Sequence, residues 1–198
     1  MISFQKSITK DEINELSLEA FEGEIVVIDS DEGLQEAVDY LKQFPVLGFD
    51  TETKPSFTKG SVNPVALLQL SSSEKSFLFR LNRIGLPAPV IELLSNSEII
   101  KVGAAIKDDV RGLQEITDFD GNSFLELQQY VTSFGIENFS LKKLAAIVLN
   151  IRISKRQQVS NWEASELSAG QLRYAATDAW VSLEIYEGLK ASICKEVL

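Results

Sequence analysis

Two acids close an apolar run in Val46-Leu47-Gly48-Phe49-Asp50-Thr51-Glu52. In a strand, residues i and i+2 point to the same face, so Asp50 and Glu52 converge on one point. Carboxylates that close raise each other's pKa unless a cation sits between them. The bland alternative is that both are solvated where the strand meets its loop. A second segment, Tyr174-Ala175-Ala176-Thr177-Asp178, has helical spacing, and an i, i+4 pair shares a face. Tyr174 and Asp178 therefore address one neighbour. An acid beside that alanine-rich stripe is costly unless paired or metal-bound; a core tyrosine and a salt-bridged aspartate are the alternative. A third segment places Asp108 and Asp109 soon after Gly103, at the start of a helix whose dipole favours an acid whatever its role. Spacing from Ile106, Val110 and Leu113 leaves either acid open. The fourth, Ser160-Asn161-Trp162, follows Lys155-Arg156-Gln157-Gln158. It is either a surface loop with a partly buried tryptophan or a basic rim that meets phosphates.

What the chain lacks narrows the chemistry further. It has no histidine and a single cysteine, Cys194. Ser-His-Asp and Cys-His machinery, His-ligated zinc and thiolate clusters are thereby excluded. Acid–base or metal chemistry rests on carboxylates, Tyr and Lys. The net charge of −10 argues against gripping long nucleic acid through the whole surface, since that affinity comes from Lys and Arg on phosphates. It leaves room for an enzyme that holds a few terminal nucleotides through metal ions and a local basic rim.

These residues need a scaffold, and the pattern supplies one. At 198 residues, 44% hydrophobic and 24% charged, the chain suits one globular domain with a sizeable core. No apolar run approaches the roughly 20 residues that span a bilayer, so no membrane partner is expected. The N-terminus has no basic and apolar signal pattern, and one cysteine fits a reducing compartment; the expected location is the cytoplasm. Thr9-Lys10-Asp11-Glu12 reads as a capping box opening a short helix. Residues 1–24 are expected as a helical extension packed on a domain of residues 25–198. Strands are predicted at 24–28, 46–51, 65–70, 76–80, 99–103 and 124–127, those at 65–70 and 76–80 antiparallel neighbours of 46–51. A loop with Pro55, Gly60 and Pro64 follows the first acid pair. Helices are predicted over 31–44, after Pro87 and Pro89, over 105–113, from Ser140 to Leu149, and from a Ser168–Gln171 capping box onward. In the last, Leu172, Ala175, Ala176, Ala179, Leu183 and Tyr186 form one apolar stripe. The class is α/β, a mixed sheet flanked by helices.

Together the four segments resemble the motifs of the DEDD (DnaQ-like) 3′–5′ exonucleases, in the subgroup whose last motif carries a tyrosine. Phe49-Asp50-Thr51-Glu52 is similar to the first motif. Val102-Gly103-x-x-Ile106-x-x-Asp109-x-x-x-Leu113 is similar to the second, and its register selects Asp109 over Asp108. Ser160-Asn161-Trp162, with Leu167-Ser168-x-x-Gln171-x-x-Tyr174-Ala175-Ala176-Thr177-Asp178, is close to the third motif of Werner-type and ribonuclease D-type members. The resemblance covers residues from about 25 to 195. It implies a ribonuclease H-like fold, with a mixed five-stranded sheet, one antiparallel edge and helices on both sides. It also implies two Mg²⁺ or Mn²⁺ ions held by Asp50, Glu52, Asp109 and Asp178, with Asp50 bridging and Tyr174 orienting the attacking water. Thr51, Trp162 and Arg156 are the candidate substrate contacts. The partner implied is a nucleic acid 3′ end, single-stranded or recessed, with DNA favoured and nucleoside 5′-monophosphates released. An RNA-directed exonuclease and a non-catalytic nucleic-acid-binding module are the alternatives. Two positions depart from the pattern: Ala104-Ala105 replaces a polar pair, and Asp108 adds an acid.

Overall fold

The computed structural model describes residues 4–56 and 63–194; the loop expected around Gly60 lies outside them. Six strands form one sheet: β1 Glu24–Ile28, β2 Val46–Thr53, β3 Val65–Ser71, β4 Lys75–Phe79, β5 Ile100–Gly103 and β6 Phe124–Glu126. Their spatial order is β1-β4-β3-β2-β5-β6. Only β3 is reversed, antiparallel to β2 and β4, while the other pairs are parallel.

Two expectations about the sheet change here. It has six strands rather than five, and its reversed strand is internal rather than at an edge. The addition is β1, which pairs in parallel with β4 along its length, Glu24 opposite Lys75 and Ile28 opposite Phe79. The β-branched run Ile25-Val26-Val27-Ile28 suits an extended chain, and pairing it there covers an edge that β4 would otherwise leave open.

Helices cover both faces. Helices α2 (Leu34–Leu41), α3 (Leu81–Ile84), α4 (Ala88–Ser95) and α5 (Lys107–Ile116) lie on one side. Val38, Leu41, Leu93 and Leu113 there pack with Leu47, Phe49, Leu70 and Phe79 of the sheet. The other side carries α1 (Lys10–Glu15), α6 (Leu127–Tyr130), α7 (Leu141–Leu144) and the long α8 (Ala169–Cys194). Its core joins Ile13, Leu144, Val181 and Ile185 to Val46 and Val102. Strand β2 is central, and its side chains alternate between the two cores.

Both capping boxes form. Thr9 N–H donates to Glu12 Oε2 at 2.7 Å and Glu12 N–H to Thr9 Oγ1 at 3.3 Å. Ser168 N–H donates to Gln171 Oε1 at 3.1 Å, and Gln171 N–H to Ser168 Oγ at 3.3 Å. Two helices are shorter than periodicity suggests, and a third, α5, starts and ends later than predicted. Gly33, left-handed at φ 73°, delays α2 to Leu34. Ala105, at φ 64°, delays α5 to Lys107. The helix predicted from Ser140 to Leu149 is α-helical to Leu144 and then widens into a π turn, Ala145–Leu149. The N-terminal segment is fastened to the rest: Ile8 and Ile13 are buried, and Phe21 N–H donates to Thr177 Oγ1 at 3.0 Å.

Candidate active site

The site exists because α8 lies almost against the backbone of β2. A Cβ on Gly48 would stand 1.9 Å from the Ala179 carbonyl oxygen, so only glycine permits that approach. Two residues after Gly48 on the same face comes Asp50, and then Glu52. One residue before Ala179 comes Asp178. Their carboxylates meet: one oxygen from each of Asp50, Glu52 and Asp178 lies within 4.8 Å of the other two. Directly after Glu52 the β2–β3 register shifts, which ends the regular ladder at the site.

Asp109 stands outside this group of three. It rises from the first turn of α5 on the other side of β2, where Thr51 Oγ1 donates to its Oδ1 at 2.5 Å. Thr51 thus spends its hydroxyl on an acid. Asp108 is turned to solvent and pairs with Arg111 at 3.1 Å. The turn before α5 is fixed by a residue that sequence reasoning passed over. Glu126, at the end of β6, accepts from Ala105 N–H at 2.8 Å, Ile106 N–H at 2.9 Å and Gln128 N–H at 3.0 Å. Both of its oxygens are used, and they hold Ala105 in its left-handed conformation, which costs a non-glycine residue about 1 kcal/mol or more.

Tyr174 shares the α8 face with Asp178, and its hydroxyl lies beside that carboxylate closely enough to hold its pKa down. The cleft around the three acids encloses about 270 Å³. Besides the acids and Tyr174, its walls include Gln128, Lys142, Lys155 and Gln158. Lys155 belongs to the polar stretch read as a rim; Lys142 and Gln128 carry no motif. Trp162 is not on the surface. It is fully buried behind Tyr174, ring centroids 6.0 Å apart, because the loop folds it under α8 against Leu67 and Leu78. It supports the tyrosine and has no face for a substrate. Arg156 is exposed but lines a neighbouring groove.

Burial pushes every acid here upward, and repulsion from the other acids of the site adds to it at Asp50 and Glu52. Asp50 lies well above the usual carboxylate range, through burial first and then Asp178, Glu52 and Asp109. Glu52 is pushed up to about 9 by burial and by Asp178 and Asp109. Asp178 is pushed up to about 7 by burial, against the pull of the Tyr174 hydroxyl and Lys155. Burial also raises Asp109, opposed by Thr51. The Tyr174 phenol is raised by burial and Asp178, so it stays protonated. Clustered oxygen donors that resist ionising together suit a hard divalent cation, which relieves the repulsion and the desolvation at once.

A mixed α/β sheet with this acid cluster at the junction of β2 and α8 defines a class, and residues 25–193 match the family described as 3′-5′ exonuclease. The chain belongs to that family. It is similar to Exonuclease 3′-5′ domain-containing protein 2 of Drosophila melanogaster, 39% identical over 160 residues, covering 79% of this chain and 27% of that protein. It is also similar to the Bifunctional 3′-5′ exonuclease/ATP-dependent helicase WRN of Mus musculus, 35% identical over 150 residues, covering 73% of this chain and 11% of that one. The chain therefore spans about a quarter or less of these relatives' length. Among solved structures, the Aedes aegypti Nibbler EXO domain superposes with a TM-score of 0.80 at 24% identity, covering 91% of this chain and 94% of that domain. That likeness concerns the fold.

Proposed function

We propose that this chain is a divalent-metal-dependent 3′–5′ exonuclease that removes nucleoside 5′-monophosphates from nucleic acid 3′ ends, DNA favoured over RNA. The observation that carries this is the convergence of the Asp50, Glu52 and Asp178 carboxylates within 4.8 Å in a cleft. Asp50, Glu52 and Asp178 would hold one Mg²⁺ or Mn²⁺, and Asp109 with Asp50 a second. When bound, such ions lower the pKa of a water and offset charge on the departing 3′ oxygen.

The remaining roles belong to the chain. Tyr174 keeps its proton, so its hydroxyl acts as a donor that orients a water and not as the base that deprotonates it. Lys142 and Lys155, on the cleft walls, offset phosphate charge in an otherwise acidic site. Thr51 holds Asp109 in place.

Asp50→Ala or Asp178→Asn should abolish Mg²⁺-dependent shortening of a 5′-labelled oligonucleotide, with the circular dichroism spectrum unchanged. If the purified chain leaves single-stranded DNA, RNA and recessed duplex ends intact in both Mg²⁺ and Mn²⁺, it is not an exonuclease. Digestion of matched DNA and RNA strands side by side decides the polymer, because a protein tells them apart through the 2′-hydroxyl.

A further inference from the structure

Beside the cleft lies a second groove, of about 310 Å³, with Tyr174 in its wall as well. The turn after Ile153 divides the two. Lys155 and Gln158 line the cleft, while Arg156 and Gln157 line the groove. The opposite wall is Leu18, Glu19 and Ala20, which precede the family-matched segment, and the floor includes Arg173 of α8.

Two arginines line this groove, Arg156 and Arg173, whereas Arg152, also without an ion pair among the described residues, lies outside its lining. Arg80 is held by the carbonyls of Ala164 and Ser165, Arg83 pairs with Asp29, and Arg111 pairs with Asp108. Arg156 and Arg173 form no ion pair among the described residues. Arg173 makes only a long contact, 3.5 Å, to the Phe21 carbonyl. Glu19 is the one acid on the lining, so the groove is net positive on a chain of net charge −10. Its other notable feature is apolar: Leu18 stands 58% exposed at the lip. Two guanidinium groups beside an apolar wall match a phosphate carrying a base.

We infer that this groove is an accessory subsite for one nucleotide of the substrate strand, next to those held in the cleft, with Arg156 and Arg173 on its phosphate and Leu18 against its base. The inference rests on the exonuclease reading for what enters the cleft, while continuity through Tyr174 and the charge of the groove select the occupant. Part of the subsite is built by the segment before β1, so strand engagement depends on residues outside the family-matched segment.

The test is binding of 5′-fluorescein oligothymidylates of two to six nucleotides, followed by anisotropy on the Asp178→Asn background, where the strand stays intact. Affinity should rise about tenfold once the strand outgrows the cleft, as expected for a charge-assisted contact. Arg156→Glu with Arg173→Glu should remove that gain, and the paired Lys substitutions should retain part of it. A methylphosphonate at the linkage reaching the groove should cost the parent affinity and cost the double Glu variant none. Melting temperatures identify any variant that fails to fold, and Arg156→Glu alone, on an exposed side chain, then carries the comparison. A length gain that survives both Glu substitutions, or an equal loss for two and six nucleotides, overturns the subsite. Hydrolysis by the unsubstituted chain is scored separately. An arginine-dependent length gain without hydrolysis would sink the enzyme and keep the groove, and hydrolysis without that gain would do the reverse.

Discussion

Asp178 shows what a site of this kind costs the fold. Its carboxyl is pushed up to about 7, mainly by burial, whereas in an unfolded chain it ionises near 3.9. Below about pH 4 the proton is bound in both states and the group is neutral for stability. Between about 4 and 7 the unfolded chain releases it and the folded chain keeps it, so stability falls as pH rises. Glu52, pushed up to about 9, extends that loss further. Without metal the protein should therefore melt lower at pH 7.5 than at pH 5.5, and Asp178→Asn should raise the melting temperature at pH 7.5. A divalent ion needs ionised ligands, so its stabilisation should grow with pH. Mn²⁺ at a hundredfold excess over its Kd should add roughly 5–10 °C at pH 7.5 and much less at pH 5.5, by scanning calorimetry. At this scale the sequence was readable where the rule is local. Asp50 and Glu52 share a face because strands alternate, and Tyr174 and Asp178 share one because helices turn. Trp162 was misplaced because burial depends on what folds over it. Glu126 was invisible because its partners, Ala105 and Ile106, lie some twenty positions away.

At the scale of elements, two contacts set the position of the acids. Gly48 lets α8 settle on β2, and Gly48→Ala would drive a methyl group into the Ala179 carbonyl. Overpacking of this kind costs typically 1–3 kcal/mol. A lower melting temperature should come with a disproportionate drop in kcat and in Mn²⁺ affinity by calorimetric titration, because Asp178 moves away from Asp50. Glu126→Gln keeps one acceptor oxygen but turns an amide N–H towards backbone N–H groups, so the turn that aims Asp109 loosens. Its expected signature is weaker Mn²⁺ binding by about tenfold with KM for a short oligonucleotide little changed. Equal damage to both would place Glu126 in general stability instead. The elements were broadly legible from periodicity. The left-handed Ala105 and the π turn at Ala145–Leu149 were not, since both arise from packing and hydrogen bonding that no local pattern encodes. Strand β1 could be read as a strand, but its place beside β4 could not.

Across the whole molecule, charge is uneven. Against an overall −10, four cationic side chains, Lys142, Lys155, Arg156 and Arg173, line the cleft and the groove. If all four meet phosphates, log affinity for a single strand should fall against log salt with a slope of about −3, at about 0.7 per contact. A slope much steeper than that, measured by anisotropy from 50 to 300 mM NaCl, would mean that cations elsewhere grip the strand. The net charge was in the sequence; its local reversal was not, because Arg156 and Arg173 come together only when the 154–158 turn packs against the start of α8.

The alternation of β2 has one more consequence. Asp50 and Glu52 look towards α8 while Thr51, between them, reaches Asp109 on the α5 side. The three-letter stretch Asp-Thr-Glu thus writes to two ligand groups at once, and its meaning depends on reading frame along the strand. Deleting one residue between Val46 and Phe49 would leave every acid in the chain yet exchange the audiences: the carboxylates would address α5 and the threonine α8. For a descendant sequence, substitution of Asp50 dims the site, whereas loss of a silent-looking neighbour erases it.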